Sequence, residues 1–214
     1  MANSNVPFGL RPIKHLNGSP WNGKLNVYYV SSAYATAMYK GDLVAHSIVA
    51  AEYDSSGKYP AIKVAAAAEI AVGVVLGFSD NPNISAAPSN LLANYRPASS
   101  ATLLYAWVCD DPNVIYEIQE DSDTTSMVAA DVGGNGNIVA TGGSTVTGTS
   151  AHVLNSTDVH LSAGSGHTPA NNQLRVLRLA DKGNNAVGDY AVWEVLINTH
   201  SFRNATMLGV AQTS

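Results

Sequence analysis

The residues in this sequence with the most chemical potential are carboxylates concentrated in one stretch. Seven acids fall between positions 110 and 131: Asp110, Asp111, Glu117, Glu120, Asp121, Asp123 and Asp131. Clustered carboxylates can bind calcium, and a suitably spaced pair can hydrolyse a glycosidic bond. Their spacing matches no calcium-binding loop and selects no single pair of acids. We therefore interpret the stretch as a solvated acidic face, with glycoside hydrolysis as an alternative that nothing in the spacing favours.

The single cysteine and the histidines are the other candidates for catalysis or metal binding. Cys109 follows an apolar run and precedes two carboxylates, whose charge raises a thiol pKa rather than lowering it. His152, His160 and His167 fall within sixteen residues, at no spacing typical of a zinc site. We predict a structural cysteine and loop histidines, and we expect a protein that is not an enzyme and holds no metal or cofactor.

Charge limits the kinds of partner. Charged residues make up 13% of the chain, against about 25% in typical domains. Such a deficit suits a surface covered by neighbouring subunits, because interface cores are depleted in charge; a surface rich in Ser, Thr and Asn is the alternative. The net charge is −5, and no Lys or Arg lies between Arg96 and Arg175. Nucleic-acid binding needs a basic stripe, so we expect no nucleic-acid partner.

Targeting signals are missing from the sequence pattern. The N-terminus MANSNVPFGLRP lacks the apolar core of a secretory signal. The most apolar run, residues 64–78, is interrupted by Glu69 and Gly73 and is too short to span a bilayer. One cysteine cannot form an internal disulfide, which fits synthesis in a reducing compartment. We expect no membrane association.

The stretch Leu103–Glu120 forms the centre of the expected fold. Its first part, Leu103–Val108, is apolar almost throughout, as in a strand covered on both faces. Asp110-Asp111-Pro112-Asn113 has the composition of a turn. In Val114–Glu120 the apolar residues alternate with polar ones, which is the period of a strand. The stretch therefore predicts a hairpin at the heart of a β-fold.

Alternation and turn residues predict further strands at Leu25–Ser31, Leu43–Ala50, Ala61–Ala67, Ile70–Phe78, Gln173–Ala180 and Tyr190–Asn198. A short helix is predicted at 124–132, capped by Asp123, with short strands near 144–153 and 158–162. Together they predict a mainly β fold: a single β-barrel or sandwich-like domain over residues 25–214, with long Gly/Ser/Thr loops at 135–172 and at most two short helices.

Residues 1–24 are predicted to form an extended N-terminal arm. Its three prolines push their preceding residues toward β or polyproline II geometry. The arm nevertheless carries apolar anchors that must be buried somewhere, either on the chain's own domain or on a partner. The residues we single out for partner contact are Phe8, Leu10, Arg11, Ile13 and Trp21.

Five motifs occur in an order that resembles a known family. They are VPFGLRPIKHLNG at 6–18, the Gly41-Asp42 turn, GVVLGFSD at 73–80, VCDDPNVIYEIQED at 108–121 and WEVLINTH at 193–200. Together they resemble the head decoration (cement) proteins of tailed bacteriophages. The resemblance implies a mostly β protein on the capsid exterior, commonly trimeric, that ties subunits of the major capsid protein together. It implies no catalytic residue.

The expectation from residues and resemblance together is a structural virion protein, made in the bacterial host cytoplasm and placed on the capsid exterior. Its expected partners are the major capsid protein and further copies of itself in a homotrimer. The alternative is a carbohydrate- or cell-surface-binding module of a virion, with the Gly/Ser/Thr loops as the contact face.

Overall fold

The computed structural model describes residues 3–83, 92–160 and 170–203. In them the chain forms two five-stranded antiparallel sheets and two small two-stranded ones, which confirms the predicted mainly β, barrel- or sandwich-like class. The strands are β1 Arg11–His15, β2 Asn26–Tyr29, β3 Met38–Tyr39, β4 Leu43–His46, β5 Ile62–Val64, β6 Gly73–Ser79, β7 Tyr95–Arg96, β8 Tyr105–Cys109, β9 Val114–Gln119, β10 Asn135–Gly136, β11 Ile138–Val139, β12 Val153–Leu154, β13 Leu174–Leu179 and β14 Val192–Ile197. Helical structure is limited there to α1 Ser156–Val159 and 3-10 turns at Ala50–Glu52 and Ala129–Asp131.

The first large sheet, in the order β2-β8-β6-β4-β5, curls into a partly closed barrel. Its two edges meet where Tyr29 bridges Ala61 and the Tyr29 N–H donates to the carbonyl of Pro60 at 2.9 Å. Alternate residues of the strands fill the barrel interior, because side chains along a strand point to opposite faces. The interior includes Tyr28, Val44, Ile62, Val75, Phe78, Ala106 and Val108.

The second large sheet, in the order β1-β9-β14-β13-β10, packs on the outside of the barrel. Between the two layers lies the larger core, which we call the intersheet core. The barrel contributes Leu43, Val74 and Cys109, and the second sheet contributes Tyr116, Ile118, Trp193, Val195 and Ile197 among others. Trp193 is fully buried. The outer face of the second sheet carries polar side chains, among them Glu117 and Glu194, which are 8% and 5% exposed.

The predicted hairpin at Leu103–Glu120 is wrong in one respect. β8 and β9 form as expected, but they do not pair: β8 lies between β2 and β6, and β9 between β1 and β14. The turn Asp110–Asn113 carries the chain from one layer to the other. The physical reason is that β8 sends Ala106 and Val108 into the barrel interior, while Cys109 at its end enters the intersheet core.

Two further predictions need correction. In place of the helix at 124–132 there is only the 3-10 turn Ala129–Asp131, because the Met127 N–H donates to the Glu120 carboxylate and the Met127 side chain enters the core. In place of a strand at 158–162 there is helix α1, whose N-terminus is capped by the Asn155 side chain; positions 161 and 162 lie outside the described residues. Of the strand near 144–153, only β12 forms.

The N-terminal segment lies on the chain's own domain. β1 pairs with β9, with Arg11 opposite Glu117 and His15 opposite Val114. Just before it, the Leu10 N–H donates to the Gly41 carbonyl at 2.8 Å, and Leu10 is 1% exposed. Gly9 has φ +69°, and a Cβ there would lie 2.5 Å from the Gly41 carbonyl oxygen. Glycine at position 9 therefore allows the segment to dock this closely.

Candidate functional site

A row of four charged residues crosses the outer face of the second sheet. Arg11 on β1 lies opposite Glu117 on β9, Glu117 lies opposite Glu194 on β14, and Glu194 lies opposite Arg178 on β13. The alternation that sends Tyr116 and its equivalents into the intersheet core turns these four side chains outward. We call this row the charged rung.

Glu117 is held by two cations from different parts of the chain. Its Oε2 is 2.6 Å from Arg11 Nη2 and 2.7 Å from Lys182 Nζ. Burial acts to raise the Glu117 pKa, but the hydrogen bonds from Lys182 and Arg11 and their charges outweigh it, and the pKa is lowered. The Phe8 ring lies beside both cations, 4.8 Å from the Arg11 guanidinium carbon and 5.6 Å from Lys182 Nζ.

Glu194 is held in the same way. Its Oε2 is 2.7 Å from Arg178 Nε, and its Oε1 is 3.0 Å from Lys14 Nζ. Four cations therefore surround two carboxylates, which leaves a local excess of two positive charges on a chain whose net charge is −5. The side chains of Arg11 and Arg178 remain 56% and 57% exposed, so both can reach a partner.

The five residues predicted for partner contact separate in the structure. Phe8 and Arg11 come together at the charged rung. Leu10 is a correction: its side chain is buried in the intersheet core, so no surface of it is left for a partner. Ile13 is half-buried in β1, and its carbonyl accepts from the Trp21 N–H at 3.3 Å. Trp21 packs on the edge of the intersheet core and lines a surface groove.

The acidic stretch does not form one solvated face, as the sequence had suggested. Glu117 is 8% exposed, and Glu120 is fully buried with its Oε2 accepting from the Met127 N–H at 2.9 Å. Burial raises the pKa of Glu120 to about 7. Asp123, by contrast, is exposed. The acids are therefore divided between sheet, core and loops. Glu117 on β9 is buried, because β9 lies inside its sheet between β1 and β14 and all of its residues are covered.

Cys109 and the histidines occupy structural positions in the described residues. Cys109 is fully buried, burial raises the pKa of its thiol to about 11, and the Tyr116 hydroxyl donates to its carbonyl at 3.1 Å. His152 lies in a loop, as expected; it is 1% exposed and 3.4 Å from Asp42. His160 Nδ1 lies 2.9 Å from Asp131; His167 is outside the described residues. Within residues 3–83, 92–160 and 170–203, no three metal-ligating side chains are grouped to hold an ion.

The sequence had not singled out Arg178 and Glu194 of the charged rung, nor Lys14 and Lys182, which contact its two glutamates. The alternation of β14 already placed Glu194 opposite in direction to Trp193 and Val195, so its outward orientation was predictable from the sequence. The ion pairs were not predictable, because Arg11 and Glu117 are 106 residues apart and Lys14 and Glu194 are 180 apart.

The fold and this surface define a two-layered antiparallel β protein with a charged outer face. Comparison with protein-family models, curated proteins and solved structures finds no match to the chain. Among the helices that the structure describes, none has the length and apolar character needed to cross a membrane.

Proposed function

We propose that this protein is a capsid decoration (cement) protein. It binds the outer surface of a tailed-phage head and stabilises contacts between subunits of the major capsid protein. The ordered motifs of the sequence suggest the class. The structural observation that supports it most is the charged rung, where Phe8 and two half-exposed arginines are held on one face by the sheet beneath them.

The rung suits attachment to a carboxylate-bearing surface. Arg11 uses Nε and Nη2 to hold Glu117, and Arg178 uses Nε to hold Glu194. A guanidinium has five N–H donors, so each arginine keeps donors for a second carboxylate. Because the buried glutamates fix the arginines in advance, little side-chain freedom is lost when a partner binds. Attachment by this route weakens as salt is added.

To hold capsid subunits together, the protein must be rigid and must touch more than one of them. The packed barrel and second sheet supply this rigidity. A homotrimer, with closed symmetry, would present three rungs at once, and linked sites gain strength through effective concentration.

Deleting residues 2–20 is a poor test of this function, because it also removes β1 and the buried Leu10. We therefore choose the double variant Arg11→Gln and Arg178→Gln, with Lys58→Gln as the matched control at an exposed turn away from the rung. Purified protein is mixed with phage capsids assembled without it, and bound protein is counted after sedimentation.

Wild type and the Lys58 variant should saturate the capsids at a fixed ratio to the major capsid protein. The double variant should bind about tenfold or more weakly, while circular dichroism shows it folded. If wild type does not sediment with capsids, the decoration function is wrong. If the folded double variant binds like wild type, the charged rung is not the attachment surface.

A further inference from the structure

A groove opens on the molecule where the turn after β1, the start of β2 and the turn after β8 meet. It has two compartments of about 470 and 500 Å³. Both compartments are lined by His15 and Asp111, so they lie next to each other at that pair. Each volume is within the range of small-molecule sites, about 300–1,000 Å³. We call this the Trp21 groove.

One carboxylate in the groove is held in place before any ligand arrives. Asp110 accepts from the Asn26 amide at 2.9 Å on each oxygen and from the Tyr28 hydroxyl at 2.7 Å on Oδ2. Tyr28 is itself anchored in the barrel interior. A carboxylate offers about four acceptor sites, and these bonds occupy three of them. Asp110 can therefore accept one further hydroxyl in a fixed direction.

Donors lie in the same compartment. The Asn22 side-chain oxygen accepts from the Lys24 N–H at 3.1 Å, which leaves the Asn22 amide NH₂ as a donor. The Lys24 ammonium adds a second donor group to the lining. The groove thus combines one hydrogen-bond acceptor with two donor groups. A ligand whose hydroxyl groups both donate and accept hydrogen bonds can use all three.

Aromatic rings border this polar lining. Trp21 packs against the intersheet core and also lines the groove. Phe202 is 57% exposed, with its ring centroid 5.7 Å from that of His200. Flat apolar rings beside fixed polar groups favour a ligand that has both an apolar face and hydroxyl groups.

We propose that the Trp21 groove binds a neutral saccharide chain. The C–H face of a sugar ring packs on Trp21 or Phe202, and its hydroxyl groups bond to Asp110, Asn22 and Lys24. Asp110 and Asp111 outnumber Lys24 among the charged side chains of the lining, which disfavours phosphate-bearing ligands, since like charges repel. Two adjacent compartments suit more than one sugar ring. This binding is independent of capsid attachment and lies away from the Gly/Ser/Thr loops.

A printed array of neutral and acidic glycans tests the site, followed by calorimetric titration of the strongest neutral binder. Wild type should bind neutral oligosaccharides on the array. Trp21→Ala and Asp110→Asn should each weaken the titrated binding by about tenfold or more. Tyr53→Ala, which removes an aromatic ring that is 66% exposed and outside the groove lining, should leave it unchanged.

Phe202→Ala distinguishes a loss of binding from misfolding, because an exposed ring can be removed with little effect on the core. It too should weaken binding while the melting temperature stays at the wild-type value. An array with no signal, or with signal from anionic glycans alone, overturns the proposal. So does a neutral glycan that binds equally well to wild type and to the Trp21, Asp110 and Phe202 variants.

Discussion

Glu117 and Glu194 lie directly opposite one another on β9 and β14, as a cross-strand pair of like charges. Such a pair destabilises a sheet unless other charges offset it. Here each glutamate contacts two cations, and the N-terminal segment supplies one for each: Arg11 for Glu117 and Lys14 for Glu194. The pair therefore binds the N-terminal segment to the sheet electrostatically, in addition to the backbone pairing of β1.

The first prediction concerns acid stability. The Glu117 pKa is lowered in the folded state from its ordinary 4.5. A lowered carboxyl pKa contributes stability that is present above the unfolded pKa and lost as the pH falls through the folded one. Urea unfolding of wild type should lose stability below about pH 4.5, and this loss should be smaller in Glu117→Gln. Lys182→Met should reduce this loss of stability at low pH in a similar way. If all three proteins lose the same stability as the pH falls, Glu117 is not the group responsible.

The second prediction concerns the buried leucine of the N-terminal segment. Leu10→Ala removes a side chain that is 1% exposed in the intersheet core. The expected cost is about 2–5 kcal/mol of unfolding free energy, from lost transfer energy and a residual cavity. Leu16→Ala is the control from the same segment, since Leu16 is 48% exposed; its expected cost is below about 0.5 kcal/mol. Equal denaturation midpoints for the two variants would show that Leu10 is not a core residue.

The third prediction concerns Arg96, whose side chain is fully buried. Its guanidinium donates to backbone carbonyls, with Nη2 2.7 Å from the Ser31 oxygen and Nε 2.8 Å from the Leu103 oxygen. Lysine cannot reproduce this fork, so Arg96→Lys leaves carbonyls unpaired and should cost about 3 kcal/mol or more.

Arg175→Lys is the matched control, because Arg175 is exposed and contacts the Asn135 side chain at 3.1 Å. It should shift the thermal midpoint by no more than about 2 °C. A comparably small shift for Arg96→Lys would mean that the carbonyl contacts contribute little.

The fourth prediction concerns Asp42, which is 1% exposed. Burial raises its pKa to about 7, although hydrogen bonds from Ser150 and the Tyr39 N–H act to lower it. A raised carboxyl pKa favours the folded state at low pH, and this contribution is lost as the pH rises from about 4 through 7. Asp42→Asn should therefore match wild type near pH 4 and exceed it near pH 8, by an amount on the order of 4 kcal/mol. If the difference in unfolding free energy between Asp42→Asn and wild type does not increase from pH 4 to pH 8, the raised pKa of Asp42 is contradicted.

Several structural features were accessible from residue patterns. The alternation of Val114–Glu120 predicted β9, and the turn residues Asp110–Asn113 were placed correctly. The apolar run before Cys109 and the carboxylates after it predicted a structural cysteine, and Cys109 is buried. These features are local: the period of two along a strand and the chemistry of turn residues act over a few positions. Local patterns therefore determine the mainly β class and which side chains share a face.

The tertiary structure alone decided which strands are neighbours. Alternation places Glu117 on the outer face of β9, but it carries no information that Arg11 and Glu194 lie beside it, or that β8 and β9 belong to different layers. Those choices depend on how two apolar layers bury the most surface together, a property of the whole chain. The charged rung and the Trp21 groove arise from those pairings, because each is assembled from segments far apart in sequence.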